Sequence, residues 1–265
     1  MCDTCGCGHP RDPSHDHGHD HGHTHDHSHE APRGHPPPVR TIAVQMPALA
    51  LNQRHADQNR GWFRAKGLRV FNLLSSPGSG KTALLERTLR DLPGAAAIVG
   101  DLQTENDAVR LRASGAQAIQ ITTGATCHLD AHMVAHAIER LDTRGLRFLF
   151  IENVGNLVCP ASYDLGEDRR VVLLSVTEGE DKPLKYPVIF RNADLALITK
   201  VDLAEAVGFD REKARASLRQ AAPQAEILEV SAKTGAGLDA WRAWLEDGLS
   251  PSAPSGRSPA TPTGA

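Results

Sequence analysis

Seven short apolar runs recur along the middle of the chain: 68–74 (LRVFNLL), 95–100 (AAAIVG), 116–122 (AQAIQIT), 146–152 (LRFLFIE), 170–176 (RVVLLSV), 194–199 (DLALIT) and 225–230 (AEILEV). They are mostly continuous rather than alternating, the pattern of strands buried on both faces. Most of the segments between them carry a helical period, as in Val134, Ala137, Ile138 and Leu141 at i, i+3, i+4 and i+7. Strand and helix in alternation predict an α/β fold, a mostly parallel sheet covered by helices on both faces. Ligands of such sheets bind at the carboxyl ends of the strands.

Both ends depart from this pattern. Residues 1–29 are rich in Cys and His, 30–40 (EAPRGHPPPVR) form a Pro-rich linker, and 250–265 are dominated by Ser, Pro, Gly, Ala and Thr. Such segments bury too little apolar surface to offset the entropy of ordering. The expected organisation is a disordered metal-binding segment and linker at 1–40, one folded domain at 41–249 and a disordered tail at 250–265. A net charge of −3 without a basic stripe gives no electrostatic case for nucleic acid. No apolar run approaches the ~20 residues of a membrane span, and no signal-peptide core is present, so the expected location is the cytoplasm. There, five cysteines point to thiolate ligands rather than disulfides.

The chemistry begins directly after the first strand, with SSPGSGKT at 75–82. A glycine-containing turn between strand and helix brings backbone amides against phosphate oxygens. Gly78, Ser79 and Gly80 form that turn, Lys81 supplies charge to the outer phosphates, and the Thr82 hydroxyl is a ligand for Mg²⁺. Ser75 stands where the general P-loop pattern has glycine. TKVD (199–202) resembles the base-recognition element of GTPases: the Asp202 carboxylate would accept from the guanine N1 and N2 groups, and the Lys200 stem would pack over the ring. SAK (Ser231, Ala232, Lys233) resembles the second such element, and the two in order favour GTP over ATP. ENVG (152–155) stands for the usual DxxG, with Glu152 toward Mg²⁺ and the Gly155 amide toward the γ-phosphate. Asp101 is a further candidate for Mg²⁺ or for positioning the attacking water. Lys81, Asp101 and Glu152 are the catalytic candidates. No clear water-orienting Gln or arginine finger is present, which predicts slow intrinsic hydrolysis.

Two sets of soft donors lie outside these elements. Cys2, Cys5 and Cys7 place three thiolates within six residues, enough to chelate one ion. His15, His17, His19, His21, His23, His25, His27 and His29 follow, an imidazole at every second position and a reservoir for Ni²⁺ or a similar ion. Inside the domain, Cys127 and His128 precede a helix and Cys159 comes four residues after Gly155, so movement of that loop would move a thiolate. His128, His132 and His136 recur every fourth residue on one helix face, opposite Val134 and Ile138, which turns His132 and His136 toward solvent.

Together, CDTCGC, the His-rich insert, NLLSSPGSGKT, GDLQTENDA, TTGATCHLDA, IENVGNLVCPASYDLGE and ITKVDL resemble the hydrogenase nickel-insertion GTPases, the HypB family; Ser75 agrees with it. The resemblance spans the chain apart from its C-terminal tail. It implies a homodimeric GTPase that delivers nickel to a partner chaperone or to the hydrogenase large-subunit precursor. It also implies a high-affinity nickel site at Cys2, Cys5 and Cys7, and a regulatory nickel or Zn²⁺ site at Cys127, His128 and Cys159 near the dimer interface. A urease-type nickel-insertion GTPase is disfavoured by CDTCGC and NLVCP, and a small-molecule kinase by Asp202 and SAK. A nickel buffer with a regulatory nucleotide domain stays open.

Overall fold

In the computed structural model, residues 39–103 and 105–247 are described, with side chains from residue 47 onward. Cys2, Cys5, Cys7, the histidines at 15–29 and the 250–265 tail lie outside the described residues. All seven expected strands are present as β1 (Arg69–Ser75), β2 (Ala95–Asp101), β3 (Gln117–Thr122), β4 (Phe148–Glu152), β5 (Arg169–Ser175), β6 (Leu195–Thr199) and β7 (Glu226–Val230). They form one parallel sheet in the order β3-β2-β4-β1-β5-β6-β7. Among the described residues eight α-helices accompany them: α1 (Val39–Lys66), α2 (Lys81–Asp91), α3 (Asn106–Arg112), α4 (Ala131–Ile138), α5 (Lys182–Lys185), α6 (Pro187–Arg191), α7 (Arg211–Ala221) and α8 (Leu238–Glu246).

The two faces follow from the pleat. Phe71 and Leu73 of β1 point to one side with Phe150, Val171 and Leu173, and are covered by Leu84 and Leu85 of α2, Leu111 of α3 and Trp241 of α8. Val70 and Leu74 point to the other, where α1 and α4 cover one half of the sheet and α6 and α7 the other. Phe71 stacks on Phe150 at 5.3 Å between ring centroids, and the Trp241 indole donates to Thr88 Oγ1 at 2.9 Å, pinning α8 to α2. Among the described residues no helix is long and apolar enough to cross a membrane.

Helix α1 is the element that the periodicity leaves unassigned. Its buried stripe is Asn52, Ala56, Asn59 and Phe63, so half of the face that should be apolar is amide. Pro47 inside the helix further obscures it. The amides serve α4. Asn52 Oδ1 accepts from Ala131 N at 2.8 Å, taking one of the first-turn donors a helix cannot satisfy itself. Asn59 Nδ2 donates to Ala131 O at 2.8 Å and Leu165 O at 3.1 Å, while Arg60 pairs with Asp164 at 2.6 Å. Helix α1 therefore fixes the start of α4, and with it the loop that precedes α4.

Candidate nucleotide and metal sites

The turn after β1 and the start of α2 make the phosphate loop. Gly78 and Gly80 adopt left-handed backbone (φ 72° and 96°), which glycine reaches without the steric cost other residues meet. Lys81 is buried, and its ammonium donates to Ser75 Oγ at 2.8 Å. The residue that departs from the general P-loop pattern thus holds the lysine of the loop. Burial keeps the Lys81 ammonium below its ordinary value, with Glu152 pulling the other way. Thr82 Oγ1 donates to Glu152 Oε1 at 2.8 Å, whereas Glu152 Oε2 is buried without a protein partner. Burial pushes the Glu152 carboxyl up to about 7, against the Lys81 charge and the Thr82 bond. A hydroxyl beside a buried carboxylate oxygen with spare acceptor capacity suits a hard divalent cation such as Mg²⁺.

These groups face a cavity of 490 Å³, lined by Lys81, Thr82, Asp101, Arg110, Glu152 and Gly155 among others. A second cavity of 240 Å³ adjoins it across Gly80 and Lys200 and is lined by Leu84, Leu203, Val230, Ala232, Lys233 and Asp202. The first carries the charged groups Lys81, Asp101, Asp107, Arg110 and Glu152 in its lining, and the second is a mostly apolar slot with one carboxylate. Lys200 joins the two: it takes left-handed backbone (φ 57°) and its ammonium donates to Gly78 O at 2.7 Å. Ser231 is fully buried and lies behind the slot, where its hydroxyl donates to Asp202 Oδ1 at 2.6 Å and accepts from Thr234 N at 3.1 Å. Ser79 likewise turns away from the phosphate compartment.

What Ser79 turns toward is Glu178, in the loop after β5. The Glu178 carboxylate accepts from the hydroxyls of both Ser76 and Ser79 and from Ser175 N. It clamps the phosphate loop from below. Gly155 braces the same loop from the other side, because a Cβ there would lie 2.8 Å from Pro77 Cα and 2.9 Å from Pro77 N. Backbone packs on backbone at that point. Neither Glu178 nor the partner of Gly155 carries a local sequence signal, since the residues they touch are about a hundred and about eighty positions away.

Cys127, His128 and Cys159 come together, with one donor atom from each lying within 4.8 Å of the others, all half-buried. The first two sit in the loop between β3 and α4. Cys159 opens a 3₁₀ turn, Cys159–Ser162, after β4. The His128 ring stacks on Tyr163 at 3.9 Å, its Nδ1 is buried without a protein partner, and burial lowers its affinity for a proton. Two thiols and a neutral imidazole suit a borderline-soft ion such as Ni²⁺ or Zn²⁺. Asn153, inside ENVG, connects this set to the nucleotide compartment: its Oδ1 accepts from Leu129 N at 3.1 Å and from Val154 N at 3.0 Å. His128 precedes the α4 N-cap, Asp130, so it does not share a helix face with His132 and His136 as the four-residue spacing suggested; the Asp130 cap on Met133 N starts the helix after it. His132 and His136 are exposed on α4.

Residues 69–229 match the family model for the CobW/HypB/UreG nucleotide-binding domain. A hydrogenase maturation factor HypB from Azotobacter vinelandii is 53% identical over 210 residues, covering 78% of this chain and 69% of that protein. Among solved structures, HypB from Helicobacter pylori in complex with nickel has 44% identity and a TM-score of 0.70, over 73% of this chain and 93% of that one. The hydrogenase maturation factor HypB from Archaeoglobus fulgidus has 46% identity and a TM-score of 0.70, over 74% and 98%.

Proposed function

The chain belongs to the CobW/HypB/UreG family of nucleotide-binding proteins, and from that premise we propose that it is a GTP-hydrolysing nickel metallochaperone of hydrogenase maturation. One observation carries the reading: the loop that leaves β4 holds Glu152, Asn153 and Gly155 against the phosphate compartment and, four residues on, Cys159 of the Cys127–His128–Cys159 set. A change at the γ-phosphate and a change at the thiolate are movements of one short segment.

In this reading guanine enters the slot beside Asp202 and the triphosphate follows the loop from Gly78 to Thr82. Lys81 leaves Ser75 for the phosphates. Thr82, Asp101 and Glu152 are the residues that would hold Mg²⁺, which supplies charge neutralisation on the phosphates. Asp101 borders the same cavity and orients the attacking water, and the Gly155 amide donates to the γ-phosphate. With GTP bound, the segment from Gly155 to Cys159 is held and the internal donors keep one geometry. After hydrolysis the hold on Gly155 is lost, the donor set loosens, and nickel passes to a partner chaperone or to the hydrogenase large-subunit precursor. GTP drives this only by as much as its affinity differs between the two states of the loop, and whatever factor GTP applies to metal affinity, the metal applies to GTP affinity.

The remaining parts extend the cycle. Cys2, Cys5 and Cys7 form a tight nickel site, the histidines from His15 to His29 store further ions, residues 41–249 act as the GTPase, and the protein works as a cytoplasmic homodimer. Zn²⁺ is an alternative occupant of the internal site. The coupling is tested on the full chain with Cys2, Cys5 and Cys7 changed to Ala, following thiolate-to-nickel absorption with GDP or a non-hydrolysable GTP analogue. The expected result is a nickel affinity that differs between the two nucleotides; identical affinities refute the coupling.

A further inference from the structure

Among the described residues three cations line the larger cavity: Lys81, Lys200 and Arg110. Lys81 and Lys200 are tied to the phosphate loop itself, through Ser75 Oγ at 2.8 Å and Gly78 O at 2.7 Å. Arg110 comes from α3, the helix after β2, and its partners are carboxylates: Glu86 Oε2 on α2 at 2.9 Å and, more loosely, Asp107 Oδ1 at 3.9 Å one turn back on α3. The Arg110 side chain is half exposed, and an ion pair in water holds so long a side chain only weakly. Glu86 also pairs with Arg90 at 3.3 Å, so it keeps a cation when Arg110 leaves. The Arg110 charge acts at the Mg²⁺ end of the cavity, where it favours the ionised Glu152 carboxylate against the burial that pushes that group up to about 7. As a phosphoryl group is transferred, negative charge spreads over its equatorial oxygens. A guanidinium presents two parallel N–H donors that match two oxygens of one phosphate, a geometry that the point charges of Lys81 and Lys200 do not offer.

We infer that Arg110 is a catalytic residue of GTP hydrolysis, supplied by the chain to its own site: its guanidinium leaves Glu86 and donates to the γ-phosphate oxygens in the transition state. The inference rests on the GTPase reading above and adds a charge which that reading does not assign. In the step it serves, the bond from the γ-phosphorus to the β–γ bridging oxygen breaks, with its electron pair staying on GDP. A bond forms from the attacking water to the same phosphorus; one water proton stays on that oxygen and the other passes to a phosphate oxygen, giving dihydrogen phosphate. Arg110 gains and loses no proton. It offsets the charge that builds while neither bond is complete, and returns to Glu86 when phosphate leaves.

The test uses the full-length protein with Mg²⁺ and measures single-turnover GTP hydrolysis, together with binding of a fluorescent GDP with and without aluminium fluoride, a mimic of the phosphoryl group in transfer. The parent is expected to form the GDP–aluminium fluoride complex unaided, because the arginine is its own. Arg110→Ala should slow hydrolysis by about 10²-fold or more, the scale of losing one donor to developing charge, and should lose the aluminium fluoride complex while keeping its affinity for GDP. Arg110→Lys, with the charge but not the fork, should fall between the two. Glu86→Gln separates phosphate contact from scaffold, since it breaks the ion pair between α2 and α3 yet should hydrolyse GTP at least as fast as the parent. Hydrolysis by Arg110→Ala at the parent rate overturns the inference, as does a parallel loss of its GDP affinity, a Glu86→Gln protein as slow as Arg110→Ala, or a parent that takes no aluminium fluoride. In all of these the parent still hydrolyses GTP and the GTPase reading stands; a parent that leaves GTP intact refutes that reading and this inference with it.

Discussion

Replacing Asp202 by Asn puts the base assignment to a quantitative test. The Asp202 carboxylate is the one acidic group among the lining residues of the slot beside the phosphate loop, and Ser231 fixes its orientation from behind through a 2.6 Å bond. Guanine presents two donors, N1–H and the 2-amino group, to such a carboxylate. Hydrogen bonds to a charged partner contribute about 1.5–3 kcal/mol each, so the pair is worth about 3–6 kcal/mol. Asparagine keeps the shape and still accepts from Ser231 through its carbonyl, but turns an NH₂ toward the guanine donors. GTP affinity is therefore expected to fall by about 10²–10⁴-fold. Xanthine carries a carbonyl where guanine has the amino group, so the same NH₂ finds an acceptor and XTP gains affinity. Competition of GTP and XTP against a fluorescent guanine nucleotide reads both changes. A loss of GTP affinity below tenfold, or no gain for XTP, would mean that the base lies elsewhere and that the slot has been misread.

Gly155→Ala should fold but lose stability, by about 1–3 kcal/mol for forcing a methyl group against the Pro77 backbone, and should weaken GTP more than GDP; equal weakening in the same competition assay argues against a γ-phosphate role for this loop. Asn59→Ala strips the donors from Ala131 O and Leu165 O, both in the interior, and is expected to cost about 2–4 kcal/mol in urea unfolding; a cost below about 1 kcal/mol would mean that α1 is not what fixes the start of α4.

The strands were legible in the sequence because a parallel sheet buried on both faces leaves continuous apolar runs, and each observed strand begins and ends within two residues of its run. The positions of SSPGSGKT, TKVD and SAK at the ends of β1, β6 and β7 were legible because each segment is marked by residues a few positions apart. Helix α1 was not, since Asn52 and Asn59 occupy positions whose partners, Ala131, Asp164 and Leu165, lie about seventy to more than a hundred residues on. Glu178 and Asn153 escaped for the same reason. A charged residue in a loop reads as solvated until the fold shows Ser76 and Ser79 beneath it, and a buried asparagine reads as a turn residue until Leu129 N is found on its oxygen. The four-residue spacing of His128, His132 and His136 misled at its first member, because a helix period says nothing about where the N-cap falls.

Helix α1 packs along α4, and its Leu51, Asn52 and His55 share a groove with His128. Its first residue, Val39, is also where residues 1–38 join. Whatever path the intervening chain takes, His29 lies within about 33–36 Å of Val39, and the helix from Val39 to His55 adds about 24 Å. The donors at 15–29 and the internal donors are therefore parts of one molecule with a bounded separation. In the cycle proposed above, passage of an ion between them would be a first-order event at an effective concentration set by chain length, of millimolar order for a short linker. Once the outer donors were filled, its rate would belong to the molecule rather than to the solution, the same in a cell holding few copies of this protein as in one holding many.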